Sequence, residues 1–449
     1  GGKRVTGVRR QRTTRFAAAG LGAGLIALAV ASAESQPALP DPLLPSAAEA
    51  VGSAPASDII PEDTRPAVTD AMRTRLASVV SELTGEAVKR GIPRELAAHA
   101  LGRLEPDAEI FSLLESQPEH VATPWGYMNR LVSEKRIASG REKLIEHGDV
   151  LTAIEQKFGV DRHVVLAIWG VESSYGASTG TRSVVRSLAT LAAGDPRRPQ
   201  FWRAELLTAL AILHRGDITL ERMTGSWAGA MGHTQFMPSS YMAHAVDFDG
   251  DGRRDIWRST TDALASTANY LKTAGWTAGM AWGQEVVLPA GFDMALTAPD
   301  VSRRRGEWEA MGVTPPAGQA WRDMDAAGLI LPAGARGPVF LVSPNFRSIL
   351  RYNNAVPYAL AVGHLADRIA GGAPIAGIWP VDDPPLARAS REELQRRLAS
   401  LGYDVGAPDG VIGQQTRTAI RSFQKRAGLP EDGYASEGLL EALRQAATH

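Results

Sequence analysis

The stretch AIWGVESSYG, Ala167 to Gly176, puts a carboxylate at the end of eight uncharged residues, Val164 to Val171. Asp161 supplies an N-cap for a helix through RHVVLAIWGVESSYG, and Gly176 supplies a stop. On such a helix Glu172 lies four residues after Ile168 and three after Trp169, so it shares their face. Apolar neighbours desolvate the acid and raise its pKa above the ordinary value of about 4.3. A carboxyl group still protonated toward pH 6 is suited to protonating a leaving-group oxygen. The competing reading is a Glu at a helix end that turns to solvent or pairs with an Arg. The run alone does not separate the two.

Downstream motifs bear on that choice. GSWAGAMGHTQFMPSSY (225–241) is a glycine-rich turn with Ser226, Gln235, Ser239, Ser240 and Phe236 beside it, suited to a groove that hydrogen-bonds neutral polar ligands. It has neither the lysine of a phosphate loop nor G-x-G-x-x-G spacing. DFDGDG (247–252) follows, with Asp247, Asp249, Asp251 and Gly252 placed as in the first half of a calcium loop. Its twelfth position, where a bidentate acid belongs, is Arg258, and Asp262 lies four residues further on. The alternative there is a solvated acidic turn. Asn269 and Tyr270 fall on a helical pattern, and RYNNAVPY (351–358) adds Tyr352, Asn353, Asn354 and Tyr358. Such amides and aromatic faces suit sugars, although either cluster alone also reads as core packing.

The whole chain has 449 residues, 44% of them hydrophobic and 22% charged, which implies two or three ordinary globular domains. A net charge of −1, with no Lys/Arg run beyond the N-terminus, argues against nucleic acid as a partner. The absence of cysteine excludes disulfides, thiolate metal sites and a Cys nucleophile. Residues 1–33 read as a signal peptide: basic residues, then FAAAGLGAGLIALAVASA, then Ala31-Ser32-Ala33 before Glu34. An uncleaved membrane anchor is the alternative, and both export the remainder. Residues 34–66, rich in Pro, Ala and Ser, read as a disordered linker. A helical lobe is expected over about 67–150 and a core over about 151–372, with short strands in EVVLPAGF and PVFLVSP. A Gly/Pro linker at 373–388 leads to a helical tail, 389–449.

In combination these residues resemble the lytic murein transglycosylases of the membrane-bound B type. The resemblance covers roughly 70–370 and also includes QPEHVATPWGYMNRLVSEKRIASG, DPRRPQFWRAEL (195–206), ALASTANYLKTAGW and RYNNAVPYALAVGHLADRI. It implies a mainly α protein with a lysozyme-like α+β catalytic core. It also implies cleavage of the β-1,4 bond between N-acetylmuramic acid and N-acetylglucosamine in peptidoglycan, leaving a 1,6-anhydro sugar. Carried over by residue, it places the catalytic acid at Glu172. Substrate contacts fall at Ser173, Ser226, Gln235, Phe236, Tyr270, Tyr352, Asn353 and Tyr358. Structural calcium falls at Asp247, Asp249, Asp251, the carbonyl of Arg253 and Asp262, whose spacing runs a residue long. His233 stands in the glycine turn where the family suggests another residue type. The tail, LQRRLASLGYDVGAPDGVIGQQTRTAIRSFQKRAGLPEDG (394–433), resembles a three-helix peptidoglycan-binding domain through Asp409-Gly410, Gly413, Thr416, Ala419, Ile420, Phe423 and Gln424.

The usual glycosidase scheme needs two carboxylates beside the bond. Here the next candidates, Asp247 to Asp255, are taken by the calcium reading, so one acid has to serve both steps and no cofactor is expected for the chemistry. The resulting expectation is an exported protein of the periplasm or cell envelope whose partner is the glycan strand, with cell-wall synthesis or division proteins as further candidates. Membrane contact is expected only through an uncleaved N-terminal segment. The competing functions are a muramidase of similar fold, a non-catalytic peptidoglycan-binding protein and a calcium-regulated binding module.

Overall fold

A computed structural model of the chain describes residues 67–115 and 123–446. The signal-peptide and first-linker readings lie outside the described residues. Among those described, no helix is long and apolar enough to cross a membrane.

The chain opens with α1 (Asp70–Lys89), α2 (Arg94–Leu101) and α3 (Ala108–Glu115). Next come α4 (Pro124–Leu131), α5 (Glu134–Glu146), α6 (Gly148–Phe158) and α7 (Arg162–Ser173). A ribbon of β1 (Arg182–Ser183) and β2 (Thr224–Gly225) brackets α8 (Val184–Gly194) and α9 (Pro199–Arg215). It is followed by α10 (Pro238–His244) and α11 (Thr260–Thr273). A second sheet holds β3 (Gly283–Val286), β4 (Gly328–Ile330) and β5 (Val339–Val342), with α12 (Arg305–Ala310) beside it. Its order is β3-β5-β4, antiparallel throughout, with Val286 opposite Val339 and Ile330 opposite Phe340. The strands expected in EVVLPAGF and PVFLVSP are β3 and β5. Then come α13 (Pro344–Tyr352) and α14 (Val356–Ile369), and the tail supplies α15 (Arg388–Ser400), α16 (Gln414–Ala427) and α17 (Glu437–Ala446).

Four apolar cores divide these elements. One gathers α4 to α7 with α11, α13 and α14. A second gathers α1 and α2 with α8, α9 and the glycine-rich turn. The small sheet buries Trp308 in a third, and the tail has its own. The stretch expected as one helical lobe, about 67–150, is therefore shared between two cores. Its apolar faces are complementary to different later segments, which periodicity in a single chain does not reveal.

Helix α7 is the spine of the first core. Val164, Val165, Ile168 and Val171 are β-branched and disfavour isolated helix. Burial outweighs that preference, since Val165, Leu166 and Ile168 are fully enclosed and each contributes about 1.5–3 kcal/mol. Asp161 caps the start, its carboxylate accepting from the His163 N–H at 2.7 Å. The expected stop at Gly176 falls earlier. Ser174 already lies in the left-handed region at φ 49°, and Tyr175 follows at 59°. The Tyr175 ring folds back across Gly170, where a Cβ would collide with it, and its hydroxyl donates to the Arg136 carbonyl at 2.9 Å.

Candidate active site

Glu172 is the last acidic residue of α7 and is only 1% exposed. Its Oε1 accepts a hydrogen bond from the Tyr358 hydroxyl at 2.6 Å. Its Oε2 is buried with no partner among the described residues. Burial pushes the carboxyl up to about 8, and the Tyr358 bond opposes that rise. Among the described residues no carboxylate raises it further, so desolvation keeps this group protonated at neutral pH. Tyr358 sits in the first turn of α14, opened by Pro357, and is itself fully buried.

The glycine-rich turn is built against the end of α7. Main-chain bridges join Gly225 to Met231 and Met231 to Phe236, extending the β1–β2 ribbon. Gly225 admits no side chain, since a Cβ would strike the Ala230 carbonyl, and Gly232 requires φ +62°. Gln235 is held at φ 51°. Ser174, Tyr175 and Gln235 are the non-glycine residues with positive φ among those described, and all three flank this site. Left-handed conformations disfavour L side chains by about 1–3 kcal/mol each, so surrounding contacts have to enforce them.

The residues predicted to contact substrate divide by what their polar atoms do. Ser173 Oγ donates to the His233 carbonyl at 2.9 Å and accepts from the Gly176 N–H, tying helix to turn. Ser226 Oγ accepts from the Ala230 N–H at 3.1 Å. Gln235 Nε2 donates to the carbonyls of Thr179 and Gly232, at 3.0 and 2.8 Å, while its Oε1 is buried and without a partner. Phe236 is a buried core ring, 5.8 Å from Tyr270 and 5.7 Å from Tyr352 between centroids. Tyr352 donates to the Thr234 carbonyl at 2.7 Å and Tyr270 to that of Arg351. Asn353 ends α13, its N–H bonded to Ile349 and its carbonyl to Ala355. Two buried oxygens, Glu172 Oε2 and Gln235 Oε1, are thus left with unused hydrogen-bonding capacity.

Sequence reasoning missed the ring layer around Trp169, three residues before Glu172. Trp169 Nε1 donates to His233 Nδ1 at 3.0 Å, and the rings stack at 5.8 Å. His147 meets the other side of Trp169 edge-on. The only available signal was the unusual His233 in the glycine turn.

The acidic loop lies apart, between α10 and α11. Asp247, Asp249 and Asp251 each offer one oxygen within 4.8 Å of the others. Asp262 does not share that cluster. Its Oδ1 accepts from the N–H of Phe248 at 2.8 Å and of Asp249 at 3.3 Å, and its Oδ2 from Asp255 at 2.9 Å. It therefore organises the loop backbone. The Arg253 side chain pairs with Asp251 at 3.3 Å.

A buried protonated acid on a helix, a glycine-rich turn and a separate helical tail define the class. Residues 75–367 match the model of the Transglycosylase SLT domain, and 387–443 match that of a putative peptidoglycan binding domain. The chain belongs to the SLT transglycosylase family and has a lysozyme-like core. Membrane-bound lytic murein transglycosylase B of Escherichia coli K12 is 32% identical over 298 residues, 63% of this chain and 80% of that protein. The solved structure of SltB3 from Pseudomonas aeruginosa, in complex with NAG-anhNAM-pentapeptide, is 48% identical at a TM-score of 0.79. The match covers 82% of this chain and 99% of that one. Escherichia coli Slt35 in complex with calcium is 29% identical at a TM-score of 0.55, over 67% and 93% of the two chains.

Proposed function

We propose that this lytic transglycosylase cleaves the β-1,4 bond between N-acetylmuramic acid and N-acetylglucosamine of peptidoglycan, with Glu172 serving as acid and then base. The proton on Glu172 passes to the glycosidic oxygen as the C1–O4 bond breaks, and the substrate's 2-acetamido group stabilises C1. The resulting carboxylate takes the proton of the muramyl 6-hydroxyl as O6 bonds to C1, giving a 1,6-anhydro ring without water. The carrying observation is that Glu172 is held protonated by burial and that, among the described residues, its Oε2 has no partner and no second carboxylate acts on it. Holding a polymer whose own hydroxyl is the nucleophile favours intramolecular attack. Gln235 Oε1 is the acceptor available to a sugar amide or hydroxyl, and Tyr270, Tyr352 and Asn353 are assigned to the groove with it. Tyr358 orients and restrains the acid.

Calcium belongs to the same proposal as a structural ion, held by Asp247, Asp249, Asp251 and the Arg253 carbonyl. The three converging oxygens fit a hard cation, and the acid-base steps run through none of them. The tail is assigned to retention on peptidoglycan, and the protein to the periplasm, where that polymer lies.

Digestion of purified sacculi by the full chain, followed by mass analysis, is expected to release muropeptides lacking one water relative to hydrolytic products. Hydrated reducing ends from the wild type would instead make it a muramidase.

A further inference from the structure

A cavity of about 450 Å3 lies on the seam between the catalytic core and the tail. The volume suits a small organic ligand. Its core-side wall includes Ile330, Val356 and Pro357, and its tail-side wall includes Ile412, Arg391, Arg417 and Tyr434. Its polar groups are unevenly satisfied. Arg421 is fixed in the seam, donating to the Met294 carbonyl and to Thr297 Oγ1. Asp432 is the acid on the wall, and its oxygens accept from Gln424 Nε2 and the N–H groups of Tyr434 and Ala335. Neither Arg391 nor Arg417 has an acidic partner among the described residues. Arg391 Nε and the Tyr434 hydroxyl are both buried and unbonded among the described residues. An apolar chamber with uncompensated positive charge and idle donors fits a short peptide that ends in a carboxylate. It does not fit a neutral glycan. Val356 and Pro357 directly precede Tyr358, whose hydroxyl holds Glu172. A five-residue extended peptide spans at most roughly 17 Å, so a stem seated in the seam belongs to a muramyl unit within that reach.

We propose that the cavity binds the peptide stem of the glycan strand being cleaved, with Arg391, Arg417 and Tyr434 receiving its terminal carboxylate. This assignment rests on the peptidoglycan reading above and gives the tail a direct part in substrate selection. The probes are glycan strands bearing intact pentapeptide stems and the same strands stripped of peptide by an amidase. Arg391→Ala and Arg417→Ala in the full chain are expected to raise KM on peptide-bearing strands about tenfold with kcat retained, the loss due to one charge-assisted hydrogen bond. Activity on stripped strands should be unchanged, and Arg417→Lys should recover part of the loss. In a direct measurement, muramyl pentapeptide should bind the Glu172→Gln protein about tenfold more tightly than its C-terminal amide. Equal losses on both strands, no loss on either, or equal binding of acid and amide overturns the proposal. If the wild type cleaves neither strand while binding still discriminates acid from amide, the cleavage reading fails and the stem site stands.

Discussion

Glu172 and Asp262 are both acids removed from water, 1% and 0% exposed. Their surroundings give them opposite duties. Asp262 receives three backbone N–H groups that use both of its oxygens. Burial raises its pKa, but those donors work against the rise. Glu172 receives one tyrosine hydroxyl, is driven up to about 8, and retains a bare oxygen. Burial is common to both, so it does not by itself make an acid catalytic. What separates them is whether the desolvated oxygens already have donors: Asp262 fastens a loop, while Glu172 has a proton to give and an unoccupied acceptor.

The largest expected effect falls on Glu172. Glu172→Gln keeps the shape and loses the transferable proton, so glycan cleavage should fall by about 10³-fold or more. Stability should respond differently. Because the folded pKa is raised, Glu172 contributes stability that is fully present below the unfolded value near 4.5 and is lost as pH rises through about 8. Across that window the wild type should lose up to about 1.4 kcal/mol per pH unit relative to Glu172→Gln. Denaturant melts of both proteins at several pH values measure this, and parallel profiles would refute a buried protonated acid.

The order reverses for Asp262. Asp262→Asn replaces one acceptor oxygen by an amide that confronts backbone donors, at about 1–3 kcal/mol per group left unsatisfied. The melting temperature of the core should drop by roughly 5–10 °C, with kcat far less affected than in Glu172→Gln. A chelator sharpens the test. If Asp262 acts on the loop backbone, the gap between variant and wild type persists in EDTA. If it is a calcium ligand, chelation lowers the wild type toward the variant and the gap closes.

The two acids were unequally legible in the sequence. Glu172 follows an apolar run behind an N-cap, so helix and face could be read from spacing, while desolvation needed the downstream motifs to favour it. Grouping of Asp247, Asp249 and Asp251 was equally plain, because alternate residues in a tight turn have little choice. What could not be read was non-local. The Tyr358 bond to Glu172 joins residues 186 apart, and the backbone donors of Asp262 depend on how the loop closes. Left-handed Ser174, Tyr175 and Gln235 were hidden too, since propensity assigns that conformation to glycine and the chain places Gly176 close by. Tertiary contacts with Arg136 and Thr179 hold Tyr175 and Gln235 there, and those contacts have no local signature.

His233 connects the two regions and carries the smallest predicted effect. Its N–H bonds the Ile256 carbonyl of the acidic loop, and its own carbonyl accepts from Ser173 beside Glu172. Both links are main-chain, so a side-chain change should leave them intact. The bond from Trp169 Nε1 depends on the imidazole and requires an unprotonated Nδ1. Burial lowers the His233 pKa below its ordinary 6.5, so its contribution is present above that value and is lost as pH falls through the folded one. His233→Phe should therefore destabilise the core by about 1 kcal/mol at pH 7, the net worth of one hydrogen bond. The difference from wild type should shrink as pH falls below 6.5 through the lowered folded value. If cleavage and loop stability both survive the substitution, the regions communicate through backbone alone. Should the variant instead move the alkaline limb set by Glu172, the imidazole itself tunes the acid through Trp169, and the two regions are electrostatically joined.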